Sequence, residues 1–166
     1  MAKRNTSLRF TGRNTEQHLT ITTPDGVANL GHLRVLVIDD NWFARRLIKN
    51  VLQAFGIWNV TETKCAVEGL GLLREHTFDL VLVDDRMPAL SGTQFTKQVR
   101  AGSACASANI PIIVVSAHTD EPRVLKAVAA GAQGYLAKPF TAKRLYQRIL
   151  SVIDTSNDNN PVSRAA

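Results

Sequence analysis

Leu80-Val81-Leu82-Val83-Asp84-Asp85 is an apolar run that stops on two acids. The same design stands earlier in the chain, in Val35-Leu36-Val37-Ile38-Asp39-Asp40. A third run, Ile112-Ile113-Val114-Val115-Ser116, stops on a hydroxyl, and a fourth, Gly134-Tyr135-Leu136-Ala137-Lys138-Pro139, stops on an amine. Runs this short and this rich in Val and Ile read as strands buried on both faces, as in a parallel sheet. An open parallel sheet binds ligands at the carboxyl ends of its strands. Two acidic pairs, a hydroxyl and an amine are therefore expected at one edge, a setting for a divalent metal and a phosphoryl group.

Between these runs the period changes to that of helices. Leu33–Ile38 reads as a strand and Trp42–Phe55 as a helix, with Ala44, Leu47, Ile48, Val51, Leu52 and Phe55 on its core face and Gly56 ending it. Trp58–Thr63 reads as a more exposed strand, and Ala66–Glu75 as a helix weakened by Gly69 and Gly71. The strand Leu80–Asp84, helix Thr93–Ala101, strand Ile110–Val115, helix Pro122–Ala130, strand Gly134–Leu136 and helix Ala142–Ile153 complete five strand–helix units. Such alternation implies a doubly wound α/β fold, and right-handed crossovers favour the flavodoxin-like strand order 2-1-3-4-5. Residues 31–154 form the expected domain. Residues 1–30 are expected to be an extension, either flexible or a small hairpin, because Leu8/Phe10 and Leu19/Ile21 alternate with polar neighbours and Pro24-Asp25-Gly26 signals a turn. Residues 155–166 have the composition of a disordered tail.

Composition narrows the function classes. The 166 residues are 45% hydrophobic, ordinary for a globular domain. No apolar stretch approaches the ~20 residues that span a membrane, and no apolar segment follows Lys3-Arg4, so a cytoplasmic protein is expected. The net charge of +6 is spread along the chain without a Lys/Arg cluster interleaved with aromatics, so nucleic-acid binding is not expected. Cys65 and Cys105 match no metal spacing or disulfide framework.

The acids demand a partner. Asp39, Asp40 and Asp84 end two neighbouring strands, and a single pair of carboxylates at ~4 Å repels by about 4 kcal/mol at an effective dielectric near 20. All-oxygen ligation with room for water suits Mg²⁺ or Mn²⁺. Lys138 supplies a compact ammonium able to bind a phosphoryl oxygen, and Ser116 a hydroxyl able to donate to another.

Four motifs in order, Asp39-Asp40, Asp84-Asp85-Arg86-Met87-Pro88, Ser116-Ala117 and Lys138-Pro139-Phe140, make the chain resemble the CheY-like receiver domain of bacterial two-component response regulators. The resemblance implies that Asp84, four residues before Pro88, is the phosphoacceptor. It implies that Asp39, Asp40, Asp84 and the backbone carbonyl of Arg86 hold Mg²⁺, Asp39 mainly through water. Ser116 and Lys138 would bind the phosphoryl group, and Ser116 and Tyr135 would form the switch. Arg86 and His118 lie where phosphoryl lifetime is set. Asn41, Trp42 and Arg45 begin the first helix, where a sensor histidine kinase or histidine phosphotransfer protein would dock. The output surface would comprise the fourth helix, fifth strand and fifth helix, acting on a protein target that the sequence does not name.

A single-domain switch, monomeric or weakly dimeric and not an enzyme beyond assisting its own phosphorylation and dephosphorylation, is the expectation. One alternative is a receiver fragment of a larger transcription regulator. Another is a Mg²⁺-dependent aspartyl phosphohydrolase, against which Arg86 stands where such enzymes carry a second Asp.

Overall fold

The computed structural model describes residues 7–11, 18–23, 26–27, 30–102, 108–118 and 120–158, with side chains for 30–102, 108–118 and 120–153. Near the N-terminus, β1 (Ser7–Thr11), β2 (His18–Thr23) and β3 (Gly26–Val27) pair antiparallel in the order β1-β2-β3. Leu8 lies opposite Ile21 and Phe10 opposite Leu19, so the alternating apolar positions share one face. These strands form a sheet of their own and do not extend the larger one.

The larger sheet follows from the buried apolar runs. Its strands are β4 (Arg34–Ile38), β5 (Asn59–Thr63), β6 (Leu80–Asp84), β7 (Ile112–Ser116) and β8 (Gly134–Ala137). Between and after them come α1 (Trp42–Ala54), α2 (Ala66–Glu75), α3 (Gly92–Arg100), α4 (Glu121–Ala129) and α5 (Ala142–Asp158). All five strands are parallel, in the order β5-β4-β6-β7-β8, which is the 2-1-3-4-5 winding the sequence implies.

Pleating sends alternate residues to opposite faces. Val35 and Val37 pack with Ile48 and Leu52 of α1 and Leu145 and Ile149 of α5. Leu36 and Ile38 pack on the other side with Leu70 of α2, Phe95 of α3 and Ala127 of α4. Each fully buried Leu, Ile or Phe stabilises by roughly 1.5–3 kcal/mol, so both faces of β4 and β6 must stay covered. The register then positions the chemistry. Ile38 pairs Val83, Asp84 pairs Val115 and Ser116 pairs Ala137, so Asp39, Asp84, Ser116 and Lys138 arrive at one edge.

Three sequence expectations change. Leu47 is 46% exposed rather than in the core, because the buried stripe of α1 is centred on Ile48 and Leu52 and Leu47 lies at its margin. Trp58 remains outside the second parallel strand, which starts at Asn59. The last helix continues past Ile153 to Asp158, so the boundary expected at 154/155 falls inside α5. Propagating a formed helix costs far less than nucleating one, and no proline intervenes before Pro161. The rest of the expected tail and Cys105 lie outside the described residues; Cys65 is a free, half-buried thiol. No helix among the described residues is long and apolar enough to cross a membrane.

Candidate functional site

Adjacent strands β4 and β6 end side by side, so Asp39 and Asp84 emerge together, only 1% and 7% exposed. Lys138, the first residue after β8, reaches both. Its Nζ lies 2.6 Å from Asp39 Oδ2 and 2.5 Å from Asp84 Oδ1. The Lys138 backbone N–H is tied to the Ser116 carbonyl at 2.7 Å, and the Lys138–Pro139 peptide bond is cis. The remaining carboxylate oxygens accept from backbone: Asp84 Oδ2 from the Arg86 N–H at 2.7 Å, and Asp39 Oδ1 from the Asn41 N–H at 2.9 Å.

Two buried carboxylates sharing one ammonium leave the site short of positive charge. Burial pushes the Asp84 carboxyl above its ordinary range, Asp39 adds to this, and the bonds from Lys138 and Arg86 only partly oppose it. For Lys138, burial disfavours the ammonium, but bonds to Asp39 and Asp84 outweigh burial and hold its pKa above the usual lysine value. Hard oxygen donors, a charge deficit and an opening to water suit a small dication that keeps several of its waters. Asp40 sits exposed beyond β4, without a hydrogen bond to the cluster. Among the described residues no three His, Cys, Asp or Glu side chains converge into a ready-made metal cage.

The wall after β6 is tightly built. Asp85, for which the sequence suggested no role, accepts from the Thr93 N–H at 3.1 Å and the Thr93 hydroxyl at 2.8 Å, anchoring the start of α3. Ser91 and Gln94 form a capping box there. A Cβ at Gly92 would stand 2.5 Å from the Asp84 carbonyl oxygen, so no other residue fits without displacing the strand end. Between them Ala89 holds a left-handed φ of 65°.

The wall after β7 converges on His118. Its backbone N–H donates to Ser116 Oγ at 3.1 Å, and its carbonyl accepts the Tyr135 hydroxyl. Its Nε2 lies 2.8 Å from Arg86 Nη1. A guanidinium only donates, so Nε2 presents its lone pair. The sequence placed Arg86 and His118 near the site separately. Their mutual contact was readable only as a coincidence of spacing, each lying two residues beyond a strand-end residue, Asp84 or Ser116.

The three positions expected at the docking helix divide. Asn41 caps α1, accepting from Phe43 N–H at 2.9 Å and Ala44 N–H at 3.3 Å. Arg45 turns inward, donating to the Asp39 carbonyl at 2.6 Å. Trp42 projects outward, 70% exposed, with its ring edge-on to exposed Phe43 at 5.9 Å. Leu47 continues this apolar face, a feature the sequence reading assigned to the core.

Residues 35–150 match the family model described as response regulator receiver domain. The chemotaxis protein CheY of Pseudomonas aeruginosa is 31% identical over 125 residues, covering 75% of this chain and 99% of that protein. A Francisella response regulator receiver domain superposes with a TM-score of 0.68 at 27% identity, covering 75% of this chain and 99% of that one. The receiver domain of a Pseudomonas aeruginosa sensor histidine kinase, whose structure has a magnesium ion coordinated in its active site cleft, superposes with a TM-score of 0.65 at 26% identity. It covers 74% of this chain and 98% of that one.

Proposed function

This chain belongs to the response regulator receiver domain family of two-component signalling, and from that membership we propose that it is a phosphorelay switch with Asp84 as its phosphoacceptor. The observation that carries the proposal is the Lys138 ammonium bridging two buried strand-end carboxylates, Asp39 and Asp84. A phosphohistidine donor, on a sensor kinase or a phosphotransfer protein, presents its phosphoryl group to an Asp84 oxygen. The P–N bond breaks as the P–O bond forms, and the imidazole leaves and takes up a proton. The chain contributes position and charge rather than covalent chemistry beyond the carboxylate itself.

Asp39, Asp40 and Asp84, with the Arg86 carbonyl, would hold a magnesium or manganese ion, which would supply charge neutralisation for the phosphoryl group. Lys138 is placed to follow the new negative charge, since its ammonium already contacts Asp84. Ser116 accepts from His118, which leaves its own O–H as a donor toward the phosphoryl group. A shift of Ser116 would draw on His118, and through the His118 carbonyl on Tyr135 of β8. The surface of α4, β8 and α5 would thereby change for a downstream protein. Exposed Trp42, with Phe43 and Leu47, is the proposed anchor for the phosphodonor protein.

The test is labelling with a small phosphodonor, phosphoramidate, in Mg²⁺, read by intact mass. Wild type and Asp85→Asn should gain one phosphoryl group and Asp84→Asn none. Labelling of Asp84→Asn, or loss of labelling in Asp85→Asn with its fold intact by circular dichroism, would sink the assignment.

A further inference from the structure

Among the described residues the outer edge of β8 is open, because β8 ends the sheet order and pairs only with β7. A groove of about 260 Å³ runs between this edge and α5, bounded by Tyr135, Leu136 and Ala137 on the strand and by Arg144, Gln147, Arg148 and Ser151 on the helix. No acid occurs in α5 from Ala142 through Ile153. Arg144 and Arg148 are exposed and, among the described residues, have no ion-pair partner. Several other arginines of the domain are engaged: Arg34 with Asp79, Arg123 with Asp120, Arg45 with the Asp39 carbonyl, and Arg100 with the carbonyls of Ala108, Ile110 and Gly131. The Arg148 stem lies over Gly134, where an added Cβ would meet its Cδ at 3.0 Å, so the side chain is braced across the start of β8.

We propose that this groove binds an extended acidic peptide segment of a partner protein, carrying a carboxylate at every second residue and lying along the open edge of β8. The spacing supports the match. Residues four apart on a helix are separated by about 6 Å along its axis, and alternate residues of an extended chain by about 6.7 Å. Successive carboxylates on one face of the peptide would thus each meet one arginine, while its backbone finds the unpaired edge. A nucleic acid is disfavoured, because Tyr135, whose hydroxyl is committed to His118, is the only aromatic among the described residues that bound the groove. The inference rests on the switch proposed above for its meaning, since Tyr135 joins this groove to the phosphorylation site, but binding itself does not require phosphorylation.

The test is fluorescence anisotropy with a fluorescein-labelled decapeptide of alternating glutamate and threonine. The control has the same composition, with all its glutamates in one block. The alternating peptide should bind more tightly, and binding should weaken as salt rises. Arg144→Glu with Arg148→Glu should weaken it about tenfold or more, and the paired Arg→Lys variant should retain most of it. Equal binding of the block peptide, tighter binding of oligothymidylate, or unchanged binding by the Glu variant would overturn the proposal. So would self-association of the protein that the alternating peptide fails to compete away. Phosphoramidate labelling of the same samples separates the two readings. Labelling without peptide binding removes the groove, and peptide binding without labelling removes the phosphoacceptor.

Discussion

The two edges of the parallel sheet each hold a basic side chain beside buried or half-buried acid, and they treat it in opposite ways. At the amino edge, Arg34 grips Asp79 with Nε on Oδ2 and Nη2 on Oδ1, both at 2.9 Å, and the Arg34 backbone N–H adds a third bond. One cation meets one anion, and the Arg34 side-chain bond, foremost among several contributions, holds the Asp79 carboxyl below its usual range. At the carboxyl edge, one ammonium serves two carboxylates, and Asp84 is pushed the other way. A balanced pair in contact with water is a fastener. An unbalanced cluster of buried carboxylates is poised to take up a cation or a phosphoryl group, and the direction of the pKa shift separates the two from the same ingredients.

The largest break in that contrast should come from Lys138→Met. With its ammonium gone, the phosphoramidate labelling rate of Asp84 should fall about 10²-fold, as when one preorganised charge-stabilising donor is lost. A rate within a factor of about three of wild type would mean the ammonium plays no part in transfer. Trp42→Ala should slow transfer from a protein donor about tenfold, in the range of an interface anchor, while leaving phosphoramidate labelling unchanged. Equal slowing of both would remove Trp42 from docking.

Asp79→Asn sharpens the comparison through pH. A carboxyl whose folded pKa is depressed contributes stability above its unfolded value, about 3.9, and loses that contribution as pH falls through the folded pKa. Urea unfolding of wild type should therefore lose stability from about pH 5 downward more steeply than the Asn variant. Parallel pH profiles would show the pair to be inert. The smallest effect is expected at Ala89, whose φ of 65° lies in the region that favours glycine. Ala89→Gly should raise stability by about 1 kcal/mol or less, because relief of left-handed strain is partly offset by a more flexible unfolded chain. A lower urea midpoint would contradict this.

The sheet was legible because burial on both faces leaves strands such as Leu80–Asp84 with no polar alternation, and their endpoints expose the chemistry directly. The meeting of Asp39, Asp84 and Lys138 was legible for the same reason, since parallel strands deliver their ends to one edge. Other features were not. Leu47 carries the same apolar signal as Ile48, and only the position of the sheet decides which of them is covered. Asp85 was separated from Asp84 only by its distance from Pro88, and its own task, holding Thr93 at the start of α3, became visible only in the fold. The Arg86–His118 contact spans 32 residues and depends on side-chain reach that no local pattern encodes.

Gly92 gives the cleft a handedness of compliance. On its side, the α3 start is pressed against the Asp84 carbonyl and bolted by Asp85 and Thr93, a stiff jamb. Across the opening, Ser116, His118 and Tyr135 are joined by single hydrogen bonds, a hinged leaf. A push delivered at Asp84 should then travel to one side only, like a door that opens in a single direction. Hydrogen exchange should show it, with the Thr93 amide holding its protection upon phosphorylation while that of His118 changes; the opposite pattern would reverse the hinge.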